Sequence, residues 1–358
     1  MRGANHGPVG VGHQTAPPFA GLANNKRTLP WKPLRCLALA GFAVLVALAF
    51  LATRGEAVSG QVQLVVPGVW FREGELTGLG HCNNVFIEMK DYMIVVDANF
   101  PSGAQLALET AHRLSPKPVK YVFDTHHHGD AAYGNAIWTK AGATTLAYAG
   151  VAEEMKRYEP ARWLAAVKER PDVAALHLDA PEPPQKTFDK SPFILKDNTR
   201  EVRFYFFGWA HTRGDGFVYL PKDNVLCTGD AVTNGPYNFT GDANIGNWPK
   251  VIHEAQTLTT TYVLPGHGEP GGPEILEGQA RFMIELHKAV AAAIKQGKKL
   301  ESVVPPGTTT VFGSVVPAKT TITLPAAVDQ WVGPLLPAQV RDTWEEIVQK
   351  KPHGDIEH

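Results

Sequence analysis

The chain has 358 residues, 44% hydrophobic and 19% charged, with 34 basic side chains against 35 acidic ones for a formal net charge of −1. This globular composition excludes a disordered or collagen-like chain, and a pI near 6.9 leaves no basic field to attract nucleic acid. Three cysteines, Cys36, Cys82 and Cys227, are too few for a disulfide scaffold and lack the paired spacing of a structural zinc site.

Residues 1–59 read as an N-terminal extension. From Cys36 to Ala52 run seventeen residues without a charge, and the preceding stretch carries Arg2, Lys26, Arg27, Lys32 and Arg35 but no acid. A basic flank before an apolar core is the pattern of an export signal. Seventeen residues sit at the lower edge of a bilayer span, so a signal peptide and a retained membrane anchor both fit. Small residues around Ala57 and Ser59 favour cleavage. The expected location of the folded part is therefore outside the cytoplasm, periplasmic or membrane-anchored, where Cys82 and Cys227 meet an oxidising compartment. Cys227, inside the apolar run NVLCTGD, is expected to pack as a small hydrophobe.

Beyond residue 60, runs rich in β-branched and aromatic residues predict strands over 62–71, 84–97, 119–123, 201–207, 216–220 and 224–229. Helical spacing predicts helices over 103–114, 131–141, 150–168 and 273–296, the last with Ile275, Phe282, Leu286, Val290 and Ile294 along one stripe. Alternation of the two kinds points to a layered α/β domain over 60–300. Residues 176–193 carry four prolines and no periodicity and read as a long surface loop of the kind that borders a site. Residues 301–358 form a tail, rich in Pro, Thr and Val, with a short helix predicted over 337–351.

The informative stretch is VKYVFDTHHHGDAAYGN, a strand running into a loop with His126, His127, His128 and Asp130. Extended backbone turns alternate side chains the same way, so His126, His128 and Asp130 converge while His127 points elsewhere. Two imidazoles and a carboxylate suit zinc or iron. Three later loops, each beside glycines after an apolar run, add His211 in AHTRGD, Asp230 in TGD and His267 in PGHG.

In that order, THHHGD, AHTRGD, TGD and PGHG resemble the metallo-β-lactamase superfamily over about residues 60–297. The resemblance implies a four-layer αββα sandwich with a metal site along one edge. It implies that His126, His128 and His211 hold a first zinc, and that Asp230 bridges to a second held also by Asp130 and His267. Most two-metal members carry a histidine directly after that aspartate; here it is Ala131, which leaves the second site one ligand short. Asp97, where the family usually has an aspartate, is expected to orient a ligating histidine, and Asp124 is a weaker candidate for the same part. His81, beside Cys82, reads as a surface-loop residue near the family's substrate cleft. His112, His253 and His287 read as solvated helix residues.

Zinc at such a site activates water at neutral pH and polarises the carbonyl under attack, with Asp130 as general acid–base. The expected substrate is a small molecule. Export favours β-lactams, whereas Thr233 stands where the cysteine-containing lactamases place a carboxylate-gripping lysine. Lactone or thioester hydrolysis is the alternative, as is a mononuclear-iron oxidoreductase resembling the persulfide dioxygenases.

Overall fold

Strand polarity places the loops that carry the candidate site residues. The computed structural model describes residues 60–75 and 81–357; the charge-free run 36–52 lies outside the described residues. The first sheet takes its strands in chain order: β1 (Val62–Val66), β2 (Val69–Arg72), β3 (Asn84–Glu88), β4 (Met93–Val96), β5 (Val119–Asp124), β6 (Thr144–Tyr148) and β7 (Lys186–Phe188). Its first four strands pair antiparallel and β4 to β7 pair parallel. The second sheet has the order β12-β11-β10-β9-β8, from β8 (Phe193–Lys196), β9 (Glu201–Phe206), β10 (Gly216–Leu220), β11 (Val225–Gly229) and β12 (Tyr262–Pro265). All its pairs are antiparallel except β11–β12.

Side-chain alternation separates the layers. In β3 and β4, Val85, Ile87, Ile94 and Val96 enter the core between the sheets, with Val218, Leu220 and Cys227 opposite them. Phe86, Met93 and Val95 face outward, onto helices α1 (Pro101–Leu114) and α3 (Asn135–Lys140). On the second sheet the outward residues Phe217, Tyr219, Leu226 and Val263 are covered by α6 (Trp248–Gln256) and α7 (Glu274–Lys295). The order is therefore helix, sheet, sheet, helix, the αββα sandwich that the resemblance implied. Strands buried on both faces read as unbroken apolar runs, which is why β10 and β11 were legible in the sequence.

Between α1 and α3, α2 (Gly129–Ala132) ends at Tyr133 and α3 starts after Gly134, so the helix predicted over 131–141 is broken in two. A Cβ at Gly134 would lie 2.4 Å from the Ala98 carbonyl, and that close approach requires glycine. The long helix α4 (Ala149–Glu169) is followed by α5 (Pro171–Ala174). The predicted loop 176–193 contains β7, and the strand predicted over 62–71 turns at Pro67–Gly68 into a hairpin.

After α7 come α8 (Leu300–Val303), the hairpin β13 (Thr308–Val311)–β14 (Ser314–Pro317), a 3-10 turn over Ala326–Trp331 and α9 (Leu336–Gln349). Trp331, Val340 and Trp344 enter the same core as α7, so this segment completes the outer layer on the second sheet. Among the described residues no helix is long and apolar enough to cross a membrane.

Gly278 marks the tightest contact of this layer: a Cβ there would lie 1.8 Å from the Trp331 indole. Alanine is the better helix former by about 1 kcal/mol, but overpacking against a buried ring costs about 1–3 kcal/mol. Gly278→Ala should therefore lower stability in urea unfolding, and a neutral or stabilising result would show that the C-terminal segment is not packed as described.

Candidate metal centre

Strands β5, β9, β11 and β12 end at one edge of the sandwich, and β3, antiparallel to β4, begins there. The loops at those ends bring His126, His128 and Asp130 together with His211, Asp230 and His267.

One cluster is His126, His128 and His211. His211 Nε2 lies 3.0 Å from His128 Nδ1, and Asp230 Oδ2 stands 3.9 Å from His211 Nε2 and 4.0 Å from His126 Nε2. Each ring is held by its other nitrogen. Asp97 Oδ1 accepts from the Thr125 amide at 2.8 Å and from its hydroxyl at 2.7 Å, and Thr125 Oγ1 in turn lies 3.0 Å from His126 Nδ1. With the hydroxyl donated to Asp97, Thr125 accepts from His126 Nδ1, and Nε2 carries the lone pair. His211 Nδ1 lies 3.0 Å from the Phe239 carbonyl, which likewise leaves its Nε2 as the acceptor. His128 Nε2 lies 2.8 Å from Asp242 Oδ2.

In this cluster the buried His126 Nε2 has no hydrogen-bond partner. Such orphans cost about 1–3 kcal/mol each unless something else satisfies them. A cation among three imidazoles and a carboxylate does so, and the donor set is one that zinc takes. Burial pushes the His126 pKa down to about 4 against the opposing pull of the Asp230 carboxylate. Gly266 leaves room for the carboxylate, since a Cβ there would lie 2.0 Å from Asp230 Oδ1.

Beside it lies a second cluster, Asp130, His267 and His81. Asp130 Oδ2 is 3.0 Å from His267 Nε2 and 3.1 Å from His81 Nδ1, and His267 Nε2 is 3.4 Å from Asp230 Oδ2. Burial opposes charge on Asp130, but the hydrogen bonds from His267 and His81 outweigh it and hold the carboxyl well below the usual range.

Both clusters open onto a cavity of about 490 Å³ whose walls include Phe100, Tyr133, Phe239 and Phe312 together with Arg162 and Arg170. That size and mixed lining suit a small-molecule ligand. A charged network runs from the cavity wall into the interior. Arg162 grips both oxygens of Asp242, at 2.6 and 2.8 Å, and approaches Glu159, which accepts from the Tyr133 hydroxyl. Burial raises the Glu159 pKa to about 7. Burial also opposes charge on Asp242, but hydrogen bonds from His127, His128 and Arg162 prevail and keep it ionised.

A family model described as the metallo-β-lactamase superfamily matches residues 77–267, just over half of the chain. The chain belongs to the metallo-β-lactamase superfamily. It is 33% identical over 99 residues to a type 2 metallo-β-lactamase of Bacteroides fragilis, a match spanning 26% of this chain and 39% of that relative. Among solved structures it is similar to a metallo-β-lactamase of Pontibacter korlensis, with TM-score 0.51, 20% identity, and 63% of this chain and 98% of the other covered. It is also similar to FIM-1 of Pseudomonas aeruginosa in the mono-zinc form, with TM-score 0.50, 21% identity, and 63% and 96% covered. At these identities the structural likeness speaks for the fold alone.

Within the superfamily frame, the six residues taken from the motifs all lie at the two clusters. Asp97 acts on His126 through Thr125 and not by direct contact. Asp124 does not reach a histidine among the described hydrogen bonds; it is buried and accepts from Asn135 at 2.8 Å. His127 is turned from the metal cluster as the alternation requires, with Nε2 3.2 Å from Asp242 and its ring stacked on Tyr158. Thr233 is buried and bonded to Gly235 and Asn238, away from the cavity. Cys82 and Cys227 are both free thiols, and the Cys82 Sγ donates to the Asp130 carbonyl at 2.7 Å.

The sequence missed two residues. His81, expected on the surface, is a member of the second cluster; the pattern HCNN ahead of an early strand was its one signal, and only the fold sets it beside Asp130. Asp242, in a loop without periodicity, carried no signal at all. Because it orients His128, Asp242→Ala should weaken zinc retention by about 10–100-fold in chelator competition. Unchanged retention in a folded variant would remove Asp242 from the metal centre.

Proposed function

We propose that this protein is a zinc-dependent hydrolase of small carbonyl substrates, with β-lactams the first class to test. The observation that carries the reading is the cluster His126, His128 and His211, with the unpaired His126 Nε2; the cluster reaches an aromatic-walled cavity through His128.

Zinc held by those three histidines with Asp230 beside them supplies a Lewis acid and lowers the pKa of water at the site to about 7. The chain's own residues do the rest. Asp97 through Thr125, the Phe239 carbonyl and Asp242 fix the three rings so that each offers one nitrogen inward. Asp130, kept ionised by its two histidines and lining the cavity, holds the attacking water in line, takes its proton and returns it to the leaving group. The cavity binds the substrate body against Phe100 and Phe239 and excludes bulk water from the reacting carbonyl.

Two guanidinium groups support a substrate carrying a carboxylate. Arg162 is occupied by Asp242, whereas Arg170 stacks on Phe100 at 3.7 Å and pairs with Asp172 at the cavity wall. Arg170 is thus held by both Asp172 oxygens, and a substrate carboxylate would have to share it with that residue to find what Thr233 cannot offer. The apolar run 36–52 behind its basic flank supports export, which would put the site where β-lactams are met.

The test is hydrolysis of a chromogenic cephalosporin by the full-length, zinc-loaded chain with and without a chelator. Turnover should be chelator-sensitive, abolished in His128→Ala and lowered about 100-fold or more in Asp130→Ala. Activity surviving His128→Ala would sink the metal assignment. A folded, zinc-loaded protein inert towards cephalosporins but active on lactones or thioesters would replace the substrate class. A single bound iron with oxygen uptake on persulfides would replace the reaction.

A further inference from the structure

We infer that His81 is a metal ligand, and that it supplies to a second zinc site the donor that Ala131 withholds. The inference rests on the reading of this edge as a metal centre, and goes beyond it by assigning a residue that lies far from the recognised motifs.

Three observations carry it. The first is ligand geometry. A tetrahedral zinc with bonds of about 2.0–2.1 Å sets its ligand atoms roughly 3.3 Å apart. Asp130 Oδ2 stands 3.1 Å from His81 Nδ1 and 3.0 Å from His267 Nε2, and Asp230 Oδ2 stands 3.4 Å from His267 Nε2. His81, Asp130 and His267 thus form one group of mutually close donor atoms, and Asp230 lies within reach of it through His267.

The second is the way the backbone of His81 is fixed. Its neighbour Cys82 donates from Sγ to the Asp130 carbonyl at 2.7 Å. Asn83 donates from its amide nitrogen to the Gly266 carbonyl at 2.9 Å, and from Nδ2 to Pro265 at 2.8 Å and Gly268 at 2.9 Å. The residues next to His81 are therefore tied to the two loops that carry Asp130 and His267. A loop histidine without a role needs no such clamp. Exact placement of a donor against two others does.

The third is the vacancy in the family pattern. Ala131 is fully buried in α2, and a methyl group binds no metal. His81 comes from the segment just before β3, so a ligand lost in one loop is replaced from another. Its ring sits at the cavity wall, edge-on to Phe100 and to His267 at centroid distances of 5.3 and 5.7 Å.

The experiment is zinc content of the full-length chain after loading and exhaustive dialysis, followed by cobalt(II) absorption spectra of the same proteins. Wild type should retain two zinc ions per chain. His81→Asn, which keeps a hydrogen-bond donor towards Asp130 but is a poor ligand, should retain one, and His81→Cys, which restores a strong donor, should return towards two. His126→Ala should lose the other ion and leave the His81 site filled. Thermal unfolding of the metal-free proteins, expected to be unchanged by the His81 substitutions, separates ligation from folding. Two ions in His81→Asn would overturn the inference. One ion in wild type that disappears in His126→Ala would also overturn it, while leaving the proposed hydrolase intact. A wild type that retains none would bring down both.

Discussion

The architecture depends on strand direction. Because β4 to β7 run parallel, β3 runs against them, and β9, β11 and β12 share a direction in the other sheet, loops from both sheets end at one edge. Only there can residues as far apart as His81, Asp130, His211 and His267 approach to hydrogen-bonding distance. The covered strands make the edge rigid, since both of their faces are packed and the turns that leave them have little room to shift. Asp97 shows the strain this imposes. It ends β4 with a left-handed φ of 66°, a conformation that costs a residue with a side chain about 1 kcal/mol or more. It is held there by the Asp97 amide on Phe123 and by Asn84 on the Asp97 carbonyl.

Burying so many polar rings is costly, and the surrounding groups offset it in two ways. Towards the protein interior, the rings of His126, His211 and His128 each have an oxygen at one nitrogen, from Thr125, Phe239 and Asp242 in turn. Within the cluster, His126 Nε2 has no hydrogen-bond partner, the gap that a metal ion would fill. Asp242 is the hinge of the arrangement, because it faces His128 on one side and Arg162 on the other. Through Arg162, Glu159 and Tyr133 the metal cluster is coupled to α4, and α4 forms a wall of the cavity.

The C-terminal segment adds a second tie. Glu346 on α9 accepts from the amides of Ile245 and Gly246, Gln339 donates to the Asn238 carbonyl, and Thr240 donates to Asp342. These bonds hold the loop that carries Phe239 and Asp242, so residues beyond the family match shape the site that the match defines. The tip of the β13–β14 hairpin, with Phe312, closes another side of the cavity.

The sequence by itself determined most of the sheets' interior strands (though not β6), the long helices, and six of the residues that the fold brings to one edge. Their signals are local: apolar runs such as GFVYL, the helical stripe from Ile275 to Val290, and histidines and aspartates placed where a strand gives way to a glycine-flanked turn. Short edge strands such as β7 and β8, half exposed and few in residues, carry no such pattern. Nor could local pattern show that Asp124 is satisfied by Asn135, or that Asp97 works through Thr125. The tertiary structure alone decided the partners of Asp130 and His128. His81 lies 49 residues before Asp130 and Asp242 lies 114 after His128, and no periodicity connects them. Chain direction and packing brought them together, since a side chain's chemistry is written in the sequence but its neighbours are chosen by the fold.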